Sequence, residues 1–216
     1  MFLHFERVYN SIPFILSGIP VTLLYSGLSF CFGLILGIFL CFIRLFDIAF
    51  LNKIVSFYVS IFRGTPLVLQ LGIIFFGIRP VLPFEMSIFQ SGILCFSLNS
   101  SAYISEILHG GFLSIPLSQF EACKALNIGK FLMFRDILLP QALKICILSL
   151  MNEVVDLVKE SAIISTISEM DVMKRAYIVA SENYLYFEPL IIAGCIYYCL
   201  VISLSNIIKR VVKCYA

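Results

Sequence analysis

Charge is scarce in this chain. Of 216 residues only 13% are Asp, Glu, Lys or Arg, 61% are hydrophobic, and the mean hydropathy is +1.03. Too few polar groups remain to cover a soluble domain of this size, so the composition places the chain among integral membrane proteins. Catalytic signatures are missing as well. No HExxH, GxSxG or GxxxxGKS/T sequence occurs, and the two histidines, His4 and His109, stand far apart. No nucleophile with a base and no set of metal ligands is visible, which excludes an intramembrane enzyme and leaves no catalytic or metal residues to assign. The internal repeats usual in secondary transporters are absent. A net charge of +2 gives no reason to expect nucleic acid. Cysteine is present but carries no framework. Cys31, Cys41, Cys95, Cys146, Cys195 and Cys199 fall in apolar stretches, where cysteine packs as a small hydrophobe. Cys195 and Cys199 lie four apart without His or carboxylate neighbours, so packing is preferred over zinc.

What the chain does have is long apolar runs. About 20 apolar residues in a helix cross a bilayer core, and five windows reach that length: Pro13–Ile43, Ile54–Phe76, Met86–Leu108, Leu138–Val158 and Pro189–Ile208. The expected fold is therefore all-α, an integral membrane bundle of about five transmembrane helices in one domain spanning 1–216. The first run is too long for a signal peptide and no cleavage site follows it, so it should stay in the mature protein. With the N-terminus outside and the C-terminus cytoplasmic, Arg44, Lys53, Lys124, Lys130, Arg135, Lys209, Arg210 and Lys213 fall inside, against Arg7, Arg79, Lys159, Lys174 and Arg175 outside. The positive-inside rule favours that orientation.

Under this topology the polar stretch EACKALNIGKFLMFRDILLP, Glu121 to Pro140, is cytoplasmic. Ser118 is placed to cap a short helix ending near Leu126, with Glu121 at the third position as in a capping box. A helix of two turns is marginal alone and needs support from packing. Ala122, Cys123 and Ala125 are small and let another surface approach closely, while Glu121 and Lys124 offer oriented polar contacts. Asn127 stands at the helix stop, where a left-handed residue is expected and Asn is tolerated. An ordinary loop between spans is the lesser reading.

These residues resemble the EAA loop of permease subunits of bacterial ATP-binding-cassette importers, with Glu121, Ala122 and Ile137 to Pro140 matching without a gap. Cys123 stands where the family has a second Ala, and Asn127 where it has Gly. The loop spans about 116–140. Arg63-Gly64-Thr65-Pro66-Leu67 with Gln70 is similar to the RGTPLLVQ signature of polar amino acid permeases. SLNSSAYISE from Ser97 to Glu106, with Gly110, Gly111 and Ser114-Ile115-Pro116, is similar to the SLNSGAYIAE and RGGIxSIP stretches. Pro140 to Lys144 and Asn152-Glu153 with Lys159 resemble PQALR and NEFIxLLK.

The resemblance implies an importer of the type I class. Two permease subunits, identical or related, form the pore in the bacterial cytoplasmic membrane. Two cytoplasmic ATPases dock on Glu121, Ala122, Cys123, Lys124, Ala125 and Asn127, and hold the ATP and Mg that this chain does not bind. A periplasmic or lipid-anchored binding protein delivers a polar or basic amino acid, of arginine or glutamine type. An ion-coupled secondary transporter or a channel subunit is the alternative.

Charged residues inside the spans point to the path. Arg63 beside Gly64-Thr65-Pro66 marks a helix break at membrane depth, tolerable only where the backbone faces protein or a cavity. It either lines the path, or snorkels towards an interface or holds a structural ion pair. Thr65, Asn99 and Ser101 lie in the stretches that resemble the family and join Arg63 as candidate path residues. Glu153, Asp156 and Glu160 are spaced three and four apart on one helical face, with Lys159 able to pair with Asp156. Glu153 and Asp156 are candidates to meet an amino or cationic group, an interfacial salt-bridge cluster being the other reading. Gly33 and Gly37 form a GxxxG that suits close helix packing, within one subunit by preference, with an intersubunit contact as the other reading.

Overall fold

The computed structural model describes residues 4–45 and 49–215; the side chain of Lys213, counted in the inner charge bias, lies outside the described side chains. Short helices α1 (Phe5–Val8) and α2 (Ile12–Leu16) lead into α3 (Ile19–Leu45). Next come α4 (Ala49–Gly64) and α5 (Leu67–Gly72), which a π-helical turn and a 3-10 turn extend to Val81. Then follow α6 (Ile88–Leu113), α7 (Leu117–Ala125), α8 (Lys130–Leu132) and a second π-helical segment, Met133–Leu138. The chain closes with α9 (Leu139–Glu160), a 3-10 segment (Ser161–Ile167), α10 (Val172–Asn183) and α11 (Phe187–Tyr215). Among the described residues every regular element is helical.

By length and composition, Phe5–Leu45 and Phe187–Arg210 can each cross a membrane, and the pair Ala49–Gly64 and Leu67–Val81, bent by 105°, makes a third candidate. Helices α6 and α9, where the other two spans are expected, are long at 26 and 22 residues. They are less apolar because α6 carries a run of serines and α9 carries Glu153, Asp156, Lys159 and Glu160. The expected break in the second apolar window is present: α4 stops at Gly64 and α5 starts at Leu67. Its cause is local, since Pro66 has no N–H to continue the helix and disfavours helical geometry in the residue before it.

The centre of the fold is the α3–α6 pair. Gly92 lies under the ring of Tyr25, Gly33 against Ser100 and Gly37 against Ile104, each pair separated by 67 positions, so the two helices run parallel in one register. A Cβ on Gly33 would sit 3.0 Å from the Ser100 Cβ, and one on Gly37 would sit 2.7 Å from the Ile104 Cγ2. The GxxxG thus packs α3 on α6 within the subunit, as small-residue faces do in lipid, where close backbone approach replaces the hydrophobic drive. Helix α9 closes the other side of α6, with Leu108, Phe112, Leu138, Ala142 and Cys146 buried together. Ser87 starts α6 with a capping box, accepting from the Gln90 N–H at 3.1 Å while the Gln90 Oε1 accepts from the Ser87 N–H at 2.8 Å. At the same end of the pair, Tyr25 donates to Glu169 at 2.8 Å and Tyr197 donates to Asp171 at 3.0 Å. Asp171 also accepts from the N–H groups of Met173 and Lys174, capping α10. Burial pushes its carboxyl above the usual range against these donors.

Candidate functional site

Helix α7 begins two residues earlier than expected. Its N-cap is Pro116, with no side-chain cap, so Ser118 lies inside the first turn and the capping box with Glu121 does not form. The reason is the backbone of Pro116, extended at ψ 138 and fixed by its ring at φ −58, which already starts the helix at Leu117.

The other end follows the expectation. Asn127 is left-handed at φ 53. The Ile128 N–H donates to the Cys123 carbonyl at 2.9 Å and the Asn127 N–H to the Lys124 carbonyl at 3.0 Å. This pair of bonds is a Schellman stop, which satisfies the last carbonyls from the chain's own backbone. The side chains are therefore free to face outward. Glu121, Ala122, Lys124, Ala125 and Asn127 are exposed, flanked by Leu117, Leu126 and Phe131, each more than 70% exposed. Cys123 alone of the six proposed coupling residues is buried, at 3%. Phe120 turns the same way, packing on the cluster that holds Phe112, Ile115 and Leu138. Behind α7, Phe112 stacks on Phe134 at 5.3 Å and 18°. Arg135 chelates the neighbouring Asp136 at 2.6 and 2.9 Å. Those hydrogen bonds hold the Asp136 carboxyl below its ordinary range.

At the break between α4 and α5 the polar atoms are matched. The Gln70 Nε2 donates to the Phe62 carbonyl at 2.8 Å and to the Thr65 carbonyl and hydroxyl, both at 3.0 Å. The Asn99 Nδ2 donates to the same Phe62 carbonyl at 3.1 Å and to the Gln70 Oε1 at 3.0 Å. Thr65 and Asn99 are thus brought together by Gln70. The amide reaches from inside the RGTPL-xx-Q stretch, so the sequence contained the signal, but spacing alone does not reveal that it folds back. Gln70 and Asn99 are both buried, and the interior carbonyls freed by the bend are covered by protein, as lipid demands.

Arg63, one residue before the stop, lies 3.3 Å from Glu106, which also accepts from Arg44. Two guanidiniums share one carboxylate, and the Arg63 guanidinium also lies over the Tyr103 ring at 5.4 Å. The Ser101 hydroxyl is fully buried, 2.7 Å from the Tyr58 hydroxyl, and donates to the Leu98 carbonyl.

The acidic stripe on α9 divides. Glu153 is buried and accepts from the Ser100 hydroxyl at 2.7 Å. Asp156 is exposed and pairs with Lys159 at 2.6 Å, the i,i+3 pair expected. Helical spacing places these carboxylates on one side, but packing against α6 takes Glu153 out of reach of Asp156's solvent-facing pair. Among the described residues no group of three or more His, Cys, Asp or Glu could hold a metal ion.

Residues 30–213 match the family described as the binding-protein-dependent transport system inner membrane component. A putative glutamine transport system permease protein GlnP of Rickettsia conorii is 47% identical over 213 residues, 99% of this chain and 98% of that protein. An arginine transport system permease protein ArtQ of Bacillus subtilis is 46% identical over 98% of this chain and 96% of its own. A crystal structure of an amino acid ABC transporter with histidines superposes with a TM-score of 0.92 at 31% identity, covering 99% of both chains.

Proposed function

The chain belongs to the family of binding-protein-dependent transport system inner membrane components, as a permease of the amino acid ABC transporters, and from that premise we propose how it works. Two permease chains, this one with a second copy or a related subunit, form a pore in the bacterial cytoplasmic membrane. The N-terminus lies outside and the C-terminus inside. A binding protein, periplasmic or lipid-anchored, delivers glutamine or a basic amino acid such as arginine from the outer side. Two ATPase subunits dock on α7 from the cytoplasm and hold the nucleotide and Mg.

The observation that carries this reading is the surface of α7. Its backbone is closed by the Schellman stop at Asn127, and its exposed side joins small residues, Ala122 and Ala125, to Leu117 and Leu126 at its ends. A partner can approach the small residues closely and bury the leucines, while Glu121 and Lys124 fix the register. Cys123 backs the helix from the buried side instead of touching the ATPase. Closure of the ATPase pair draws two such helices together, and the short π-helical joint Met133–Leu138 passes the displacement to α9. Six polar groups, the buried Asn99, Ser101 and Glu153, the half-buried Thr65 and the exposed Arg63 and Asp156, shape the path. Thr65 and Asn99 do so by holding the bend, and Ser101 by fixing Tyr58. Asp156 is the exposed carboxylate that can meet an amino group. The high-identity relatives and the amino acid transporter structure favour this reading over an ion-coupled transporter or a channel.

Two measurements test it. Glu121→Lys in the reconstituted complex should release the ATPase and abolish substrate-stimulated hydrolysis; survival of both would remove α7 as the coupling element. Asp156→Asn should lower uptake of basic amino acids more than that of glutamine, and unchanged uptake of every amino acid would take Asp156 out of the path.

A further inference from the structure

Helix α4 has three faces, and one of them has no place in lipid. Val55 and Val59 are buried with Leu40 and Ala102. Phe50, Ile54, Phe57 and Ile61, spaced four, three and four apart, form an exposed apolar stripe suited to acyl chains or a partner helix. Lys53, Ser56, Ser60 and Arg63, spaced three, four and three apart, form a third stripe, and all four are exposed. At 3.6 residues per turn each set falls in its own sector. The helix contains no Asp or Glu, so the polar stripe carries two hydroxyls between two cations. A half-exposed guanidinium, 44% for the Arg63 side chain, is costly against hydrocarbon and belongs against water or protein.

Resting on the amino acid permease reading, we propose that this stripe is a carboxylate track facing the aqueous path. The α-carboxylate of the transported amino acid is received by Arg63 at the helix break. It then passes along Ser60 and Ser56 to Lys53, ten residues or about 15 Å nearer the start of α4. Glu106 shows that a carboxylate fits Arg63. Because Arg44 shares Glu106, the two guanidiniums carry one more positive charge than that carboxylate neutralises. Among the described residues no other carboxylate forms an ion pair with either of them. Tyr103 under the guanidinium fixes its plane, which suits two-point recognition of a carboxylate.

The test uses the assembled transporter in liposomes, with Cys31, Cys195, Cys199 and Cys214 replaced by Ala, and compares Ser60→Cys with the neighbouring Ile61→Cys. An anionic, membrane-impermeant methanethiosulfonate should modify Ser60→Cys about tenfold faster or more, since a thiol facing lipid is excluded from water, and the transported amino acid should slow that reaction. Equal rates overturn the track, and so does ready disulfide formation between two Ser60→Cys chains, which would make the stripe a seam between permease copies. In uptake assays Arg63→Gln should raise KM by about tenfold or more, the loss of a charge-assisted hydrogen bond, with Arg63→Lys restoring part of it; an unchanged KM overturns the role of Arg63. If the parent chain moves no amino acid while Ser60→Cys stays accessible, the substrate reading fails and the water-facing stripe survives. If uptake is intact and Ser60→Cys is silent, the track alone fails.

Discussion

Two helices in this chain stop in the middle of a functional segment, and they are finished in opposite ways. Helix α4 stops at Gly64, and its loose carbonyls are taken by amides from Gln70 and from Asn99, a residue 37 positions from Phe62. Helix α7 stops at Ala125 and is closed by its own next residues through Asn127 and Ile128. The difference follows from the medium. Where water is excluded, a freed carbonyl must find a protein donor or cost the full desolvation of the group. Where water is near, the backbone can cap itself and leave the side chains for a partner. A stop held by distant side chains and a stop closed by its own backbone, with its side chains left exposed, are therefore distinguishable by who supplies the hydrogen bonds.

The comparison can be broken most sharply at Gln70. Gln70→Leu takes the side-chain donor from the Thr65 carbonyl and one partner each from the Thr65 hydroxyl and the Asn99 amide, at about 3 kcal/mol for the hydrogen bonds lost together. The purified chain in detergent should melt well below wild type; an unchanged melting temperature would mean that the bend does not depend on the clamp. Asn127→Val places a β-branched residue at φ 53 and should cost about 1–2 kcal/mol, whereas Asn127→Gly should be neutral or stabilising. If both variants behave alike, the left-handed stop is not what shapes α7. Cys123→Ala removes one buried sulfur and should cost about 0.8 kcal/mol, near the value of a buried methylene, while leaving ATPase docking intact. Loss of docking with unchanged stability would put Cys123 on the contact side after all. Arg135→Ala should change least. The lowered carboxyl of Asp136 contributes stability above the ordinary carboxylate range and loses it as pH falls through the lowered value. Any difference between Arg135→Ala and wild type should therefore vanish on acidification, and a difference that widened in acid would reverse the sign.

Much of this contrast was legible in the sequence. The break at Gly64-Thr65-Pro66 follows from proline chemistry, the left-handed Asn127 from helix-stop preferences, and the Gly33–Gly37 face from small-residue spacing. Local signals misled at Ser118, because a proline two positions earlier had already set the helix start, while the box formed at Ser87 and Gln90 instead. The stripe of Glu153 and Asp156 was correct in spacing and incomplete in meaning. Which of them is buried depends on α6, whose Ser100 lies 53 positions from Glu153. For the same reason the Asn99 arm of the Gln70 clamp, and Glu106 and Arg44 as the partners in the Arg63 ion pair, were out of view. Residues far apart in sequence meet there, and one sequence does not reveal such meetings.

The parallel seating of α3 on α6 also sets an order of assembly. Parallel neighbours cannot be joined by a tight turn, so the matching faces of this pair leave the ribosome 67 residues apart. At 5–20 residues per second that interval is about 3–13 s. Through it, the small and hydroxyl-bearing face of α3, with Ser26, Ser29, Gly33 and Gly37, waits without its partner. The bent α4–α5 segment is made during the wait, and its Phe62 carbonyl lacks the Asn99 donor until α6 arrives. A newborn chain truncated before Ser97 should therefore be the species that membrane proteases and insertion chaperones recognise, and one extended past Glu106 the first to escape them.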